Sequence, residues 1–158
     1  MPPSENSPLR LLIFQAGFGA GGAEKVVAML AAHRAARGDE VHVAGRTMPS
    51  GGSYFPYPEA VRLHAMVREG ETPPGNVQKQ RLQHIRQVVK SIAPDVIVSF
   101  LTRVNTLTLL ATIGSGVPVV ISERNNPREQ GGNPAWYKVQ LVLGRRAKCI
   151  VMQTERAR

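Results

Sequence analysis

Gly17, Gly19 and Gly22 keep a G-x-G-x-x-G spacing, directly after an apolar run and directly before a helical pattern. That context suits phosphate chemistry. Glycines let an anion approach the main chain, and the unshared amides that open a helix supply N–H donors together with a partial positive charge. Gly21 and Gly22 occupy the helix end of this loop. Glu24 follows in the first helical turn, where a carboxylate either compensates the helix dipole or accepts hydrogen bonds from ligand hydroxyls, such as those of a sugar. A dinucleotide site needs an acid at the end of the second strand to hold the ribose. This chain has Gly45 and Arg46 there, so the dinucleotide reading narrows to NADP, whose extra phosphate Arg46 would meet.

Two further segments mix guanidinium, hydroxyl and amide groups. The first carries Thr102, Arg103 and Asn105, and the second carries Glu123, Arg124 and Asn125. Arginine offers a planar fork for phosphate or carboxylate, and Asn, Thr or Glu can address sugar hydroxyls. Each arginine has a plain alternative as a loop anchor or an exposed salt bridge. His33, His42, His64 and His84 fall on predicted helices or strands, away from these loops, and read as structural. Cys149, the single cysteine, excludes an internal disulfide and reads as an inert small hydrophobe on an apolar strand. No His/Asp cluster indicates a metal. Trp136 and Tyr137, near Arg145, Arg146 and Lys148, read as packing in preference to a membrane interface.

The elements that must position these residues follow from periodicity. Short apolar runs at 9–15, 40–44, 60–66, 95–100, 117–122 and 149–153 predict strands. Helical patterns at 23–37, 76–92, 103–113 and 136–146 lie between most of them, and 48–58 is a Gly/Pro/Tyr-rich loop. Gly38 and Pro94 stop the first two helices. Strand, glycine loop, helix and strand in alternation predict an α/β fold with a doubly wound, mainly parallel, Rossmann-like sheet. Ligands of such sheets bind outside the carboxyl ends of the strands, where the glycine loop and both polar segments fall. The 158 residues make one ordinary domain at 9–158, preceded by a leader at 1–8. With 42% apolar and 20% charged residues, wholesale disorder is excluded. No run approaches the length of a membrane span, so a cytoplasmic location is expected.

Charge is unevenly spread. Residues 1–72 hold seven bases and seven acids, whereas 73–94 hold Lys79, Arg81, Arg86 and Lys90 with no acid, and 124–158 hold eight bases against two acids. These two segments carry the whole excess of the net +9, and such surfaces attract phosphate in some form. On the helix at 76–92, Lys79, Arg86 and Lys90 gather opposite the apolar arc, while Arg81 falls on the apolar side and must reach out along its stem.

Four segments of the chain in combination resemble a known family. GGAEKVVAMLAAHRAARGDEVHV, PDVIVSFLTRVN, VPVVISERNNP and IVMQT, in this order across about residues 9–154, are similar to the amino-terminal half of family-4 glycosyltransferases of the GT-B fold. The likeness is nearest to bacterial enzymes that extend lipid-linked or cell-surface glycans. The resemblance implies a retaining transferase with two Rossmann-like halves facing a cleft. The amino-terminal half receives the acceptor, and the carboxyl-terminal half binds a nucleotide sugar, UDP-linked or GDP-linked. No other cofactor is implied. This chain would hold only the acceptor-side domain, so the donor domain would be absent and the chain inactive alone.

By the same resemblance Gly21 and Gly22 would meet the donor diphosphate, beside Glu24, whose chemistry suits contact with ligand hydroxyls. Thr102, Arg103, Asn105, Glu123, Arg124 and Asn125 would face the acceptor. Many relatives carry a histidine with an acid where Glu123 and Arg124 stand, so no histidine role carries over and the catalytic group is unassigned. Lys79, Arg86 and Lys90 are expected to dock the domain on the inner face of the membrane, at about 1 kcal/mol for each base near an anionic surface. Two rivals stay open. One is an NADP-dependent oxidoreductase, resting on the glycine spacing and Arg46. The other is a nucleic-acid binder resting on an isoelectric point near 10.6, which 5% aromatic content and the lack of an RNA-binding signature disfavour.

Overall fold

A computed structural model of the chain describes residues 7–123 and 134–152. Its strands are β1 (Arg10–Phe14), β2 (Glu40–Met48), β3 (Val61–Arg68), β4 (Val96–Phe100), β5 (Val119–Glu123) and β6 (Cys149–Met152). All pair in parallel, in the order β3-β2-β1-β4-β5-β6. The helices are α1 (Gly22–Ala36), α2 (Val77–Ile92), α3 (Thr102–Ala111) and α4 (Pro134–Leu143), with a 3-10 turn at Gly144–Arg146. The β2–β3 connection carries no helix, in keeping with its Gly/Pro/Tyr composition.

The strands are apolar on both faces because both faces are covered. Leu11, Ile13, Val41 and Val43 pack with Val27 and Ala31 of α1 on one side. Leu12, Phe14 and Ile97 pack with Ile85, Val88 and Ile92 of α2 and with Leu107 of α3 on the other. Leu12, Ile13 and Ile97 are fully buried, and each such side chain stabilises the fold by roughly 1.5–3 kcal/mol. The chain order reverses between β1 and β4, so their carboxyl ends flank the crevice where doubly wound sheets take ligands.

α2 begins at Asn76, whose Oδ1 accepts from the amides of Gln78 (2.9 Å) and Lys79 (3.1 Å). It ends at Ala93 in the left-handed region (φ 49°), one residue before Pro94. Lys79, Arg86 and Lys90 are exposed on the side away from buried Ile85, Val88 and Ile92.

Three expectations change. β2 extends four residues past Ala44, because the chain after β1 continues to pair with it, so Arg46 lies inside the strand and not beyond it. β6 is an outer strand on which Cys149, Ile150, Val151 and Met152 are all exposed, so Cys149 is not a buried hydrophobe. The last helix starts at Pro134, where a missing N–H costs nothing, and gives way to the 3-10 turn after Leu143.

Candidate functional site

The glycine loop is sewn to β2. The Gln15 amide donates to the Ala44 carbonyl (2.9 Å), Arg46 to Ala16 (3.0 Å) and Phe18 to Thr47 (3.0 Å). A Cβ on Gly45 would stand 3.1 Å from the Phe18 ring and 3.2 Å from the Gly17 Cα, and one on Gly17 would stand 3.3 Å from the Thr47 carbonyl oxygen. Gly17 and Gly45 are therefore glycines for a close approach of two chain segments. Phe18 turns inward, is 1% exposed, and meets Tyr57 edge to face. The rest of the loop is open: a Cβ on Gly19 or Gly22 meets nothing within 4 Å. Gly21 caps α1 from an extended conformation, with no side-chain cap. The Glu24 carboxylate folds back over Gly21, into the space a Cβ there would fill. It lies beside the first amides of α1, which have no intrahelical partner. Its charge also reaches Tyr57, whose hydroxyl is pushed up first by burial; a hydrogen bond with Gln15 opposes the rise and the Glu24 charge adds to it.

At the ends of β4 and β5 the polar residues divide. Asn105 is fully buried: its Oδ1 accepts from Ser99 Oγ (2.6 Å) and its Nδ2 donates to the Ser122 carbonyl (3.1 Å). It therefore cannot face an acceptor, contrary to the sequence expectation, and instead ties β4, α3 and β5 together. Glu123 is 3% exposed and accepts from Thr102 Oγ1 (2.9 Å), so its carboxylate orients Thr102 from below the surface. Thr102 is half-buried and Arg103 exposed. Leu101, just before them, has φ 76° and ψ 141°, a conformation costing about 1–3 kcal/mol of the kind that gathers at functional sites. Arg124 and Asn125 lie outside the described residues.

Sequence reasoning missed a cavity of about 30 Å³ between the sheet and α2, lined among others by Gln15, Arg46, Arg81, His84 and Val104. His84 was expected to sit away from the loop edge, and Arg81 to reach out to solvent. Both line this cavity instead, because residues 81 and 84 share the face of α2 that looks onto the end of β2. Burial lowers the Arg81 and His84 values, and the like charges of Arg46 and Arg103 lower Arg81 further. Behind His84, His64 stacks on buried His42, with 2.9 Å between ring nitrogens, and His42 meets Glu40 at 3.1 Å. Glu40 also binds Arg10 (2.9 Å), and these partners hold its carboxyl at about 2. His42 and His64 are thus structural, and His33 is exposed at the far end of α1. Among the described residues no group of three or more His, Cys, Asp or Glu could hold a metal, and no helix is long and apolar enough to cross a membrane.

Residues 21–158 match the model of a family described as the glycosyl transferase 4-like domain. The chain belongs to that family. No curated protein matches it. Among solved structures it is similar to a sucrose-phosphate synthase from Thermosynechococcus elongatus, with a TM-score of 0.68 and 11% identity over 90% of this chain and 41% of that one. It is similar also to MurG of Acinetobacter baumannii, with a TM-score of 0.60 and 17% identity over 92% and 41%. A UDP-N-acetylglucosamine 2-epimerase from Rickettsia bellii gives 0.62 and 12% identity over 96% and 40%. At such identities the likeness is one of fold: a Rossmann-like unit of the kind found in GT-B glycosyltransferases. The chain spans about two fifths of the length of these three proteins.

Proposed function

We propose that this domain is the acceptor-side half of a retaining, nucleotide-sugar-dependent hexosyltransferase that builds cell-surface polysaccharide or lipid-linked glycan. It works with a donor domain that supplies a UDP-linked or GDP-linked sugar, and without that domain it is inactive. The observation that carries the reading is the exposed start of α1 at the carboxyl edge of the sheet, in a chain of the glycosyl transferase 4-like family. Amides of Gly21 and Gly22 stabilise the departing diphosphate, whose charge grows as the glycosidic bond breaks. Glu24, poised over Gly21, accepts a hydrogen bond from a sugar hydroxyl, and an arriving diphosphate displaces its flexible carboxylate sideways. Thr102 and Arg103 face the acceptor, Arg124 and Asn125 contribute further contacts to it, and Glu123 positions Thr102. The Lys79, Arg86 and Lys90 stripe holds the protein reversibly to the anionic inner face of the membrane, bringing a lipid-linked acceptor within reach.

Gly22→Val tests the reading in the protein that includes the donor domain. The space around Gly22 is open and valine at the first helical position disturbs little, so the thermal midpoint should stay within about 2 °C, since ordinary surface changes stay within about 0.5 kcal/mol. Transfer from the nucleotide sugar should fall at least tenfold, because the isopropyl group shields the amides. Unchanged transfer would remove the loop from the mechanism.

A further inference from the structure

The cavity behind the glycine loop has a chemistry of its own. Arg46 and Arg81 bring two guanidinium groups to it from β2 and α2, with Arg103 close enough to act electrostatically on Arg81. None of the residues lining it is acidic, so no acid of the lining offsets the repulsion between Arg46 and Arg81. One polar atom of this lining is buried without a partner among the described residues: the Nε2 of His84. A buried polar atom left alone costs about 1–3 kcal/mol, and an anion held by two guanidinium groups would supply this one with an acceptor.

We infer that this cavity binds the anionic group of a ligand, with Arg46, Arg81 and His84 donating to a phosphate or carboxylate. The volume of about 30 Å³ admits one small group, since a single water needs roughly 10–15 Å³ on the same measure. The remainder of the ligand projects toward the open edge of the sheet. Resting on the acceptor-side reading, this makes the acceptor a negatively charged sugar or polyol, gripped at a point separate from the Gly21 and Gly22 amides.

The test follows the His84 ring by NMR, assigned through His84→Gln, while the full chain is titrated with inorganic phosphate at matched ionic strength. Parallel arms use glucuronate, as a sugar carboxylate, and glucose, as a neutral control. The expected result is a saturable shift with phosphate and none with glucose. Arg81→Gln should weaken affinity at least tenfold, as loss of a charge-assisted bond requires, and Arg81→Lys should restore part of it. Arg46→Gln provides a second variant at an exposed position. A response to phosphate alone assigns the group as phosphate, and a response to glucuronate as well assigns a general anion site. Shifts confined to the Gly21 and Gly22 amides, an equal response to chloride, or affinity unchanged in both arginine variants would overturn the inference. Because the readout is binding, none of these outcomes depends on sugar transfer, which Gly22→Val tests separately.

Discussion

Replacing Asn105 by alanine should damage the fold and leave no defect attributable to ligand contact. The change removes two hydrogen bonds, from Ser99 Oγ at 2.6 Å and to the Ser122 carbonyl at 3.1 Å. Ser99 is fully buried and Ser122 7% exposed, so water cannot readily replace the lost amide. Each stranded group costs about 1–3 kcal/mol, and the hydroxyl can recover part of its share by rotating. About 3 kcal/mol in total is expected, a large fraction of the 5–15 kcal/mol by which ordinary domains are stable. For a chain of this size that corresponds to a fall of roughly 6–12 °C in Tm, measured by calorimetry, with urea unfolding as a second measure. In a Ser99→Ala background the cost should shrink by about 1 kcal/mol, the coupling expected of groups in direct contact. A variant within about 0.5 kcal/mol of the parent that nevertheless lost acceptor binding would refute the reasoning and return Asn105 to the binding surface.

Stability should fall in two stages with acid. His64 and His84 are held below the ordinary histidine value of 6.5 by burial, so the unfolded chain takes up protons first as pH drops through 6.5 and unfolding becomes easier. His64→Gln with His84→Gln should flatten the urea midpoint between pH 7.5 and 5, and a slope unchanged by both would contradict the assignment. Glu40, held at about 2 against an ordinary 4.5, contributes stability above 4.5 that disappears as pH falls toward 2, and Glu40→Gln should abolish that lower stage. The basic stripe of α2 should sediment the protein with vesicles containing anionic lipid at low salt and release it at high salt. Lys79→Gln, Arg86→Gln and Lys90→Gln together should abolish this, and equal binding to neutral vesicles would reject docking by charge.

The arrangement of elements was legible because each strand is a short apolar run with a helical pattern or turn residues beside it. Such runs appear wherever a strand is covered on both faces. The stripe of Lys79, Arg86 and Lys90 was legible for a similar reason: helix periodicity is local, and exposed bases opposite an apolar arc can point only outward. Gly17 and Gly22 were legible as a pair, but not their division of labour. Gly17 is crowded by Thr47 across the loop, whereas Gly22 stands in the open.

Amino-acid order by itself determined the parallel α/β framework, the glycine turn at the start of α1, and the arginine-bearing segment that follows β4. Only tertiary structure decided which polar residues at that edge remain available to a ligand. Asn105 and Glu123 sit in sequence segments as polar as those of Arg103, yet pairing of β4 with β5 draws both inward. Arg81 and His84 occupy what reads as an apolar helix face, and they line a cavity because that face crosses the end of β2. Burial is a property of pairs of elements that meet across the fold, and a one-dimensional pattern records the period of each element without the identity of its partner.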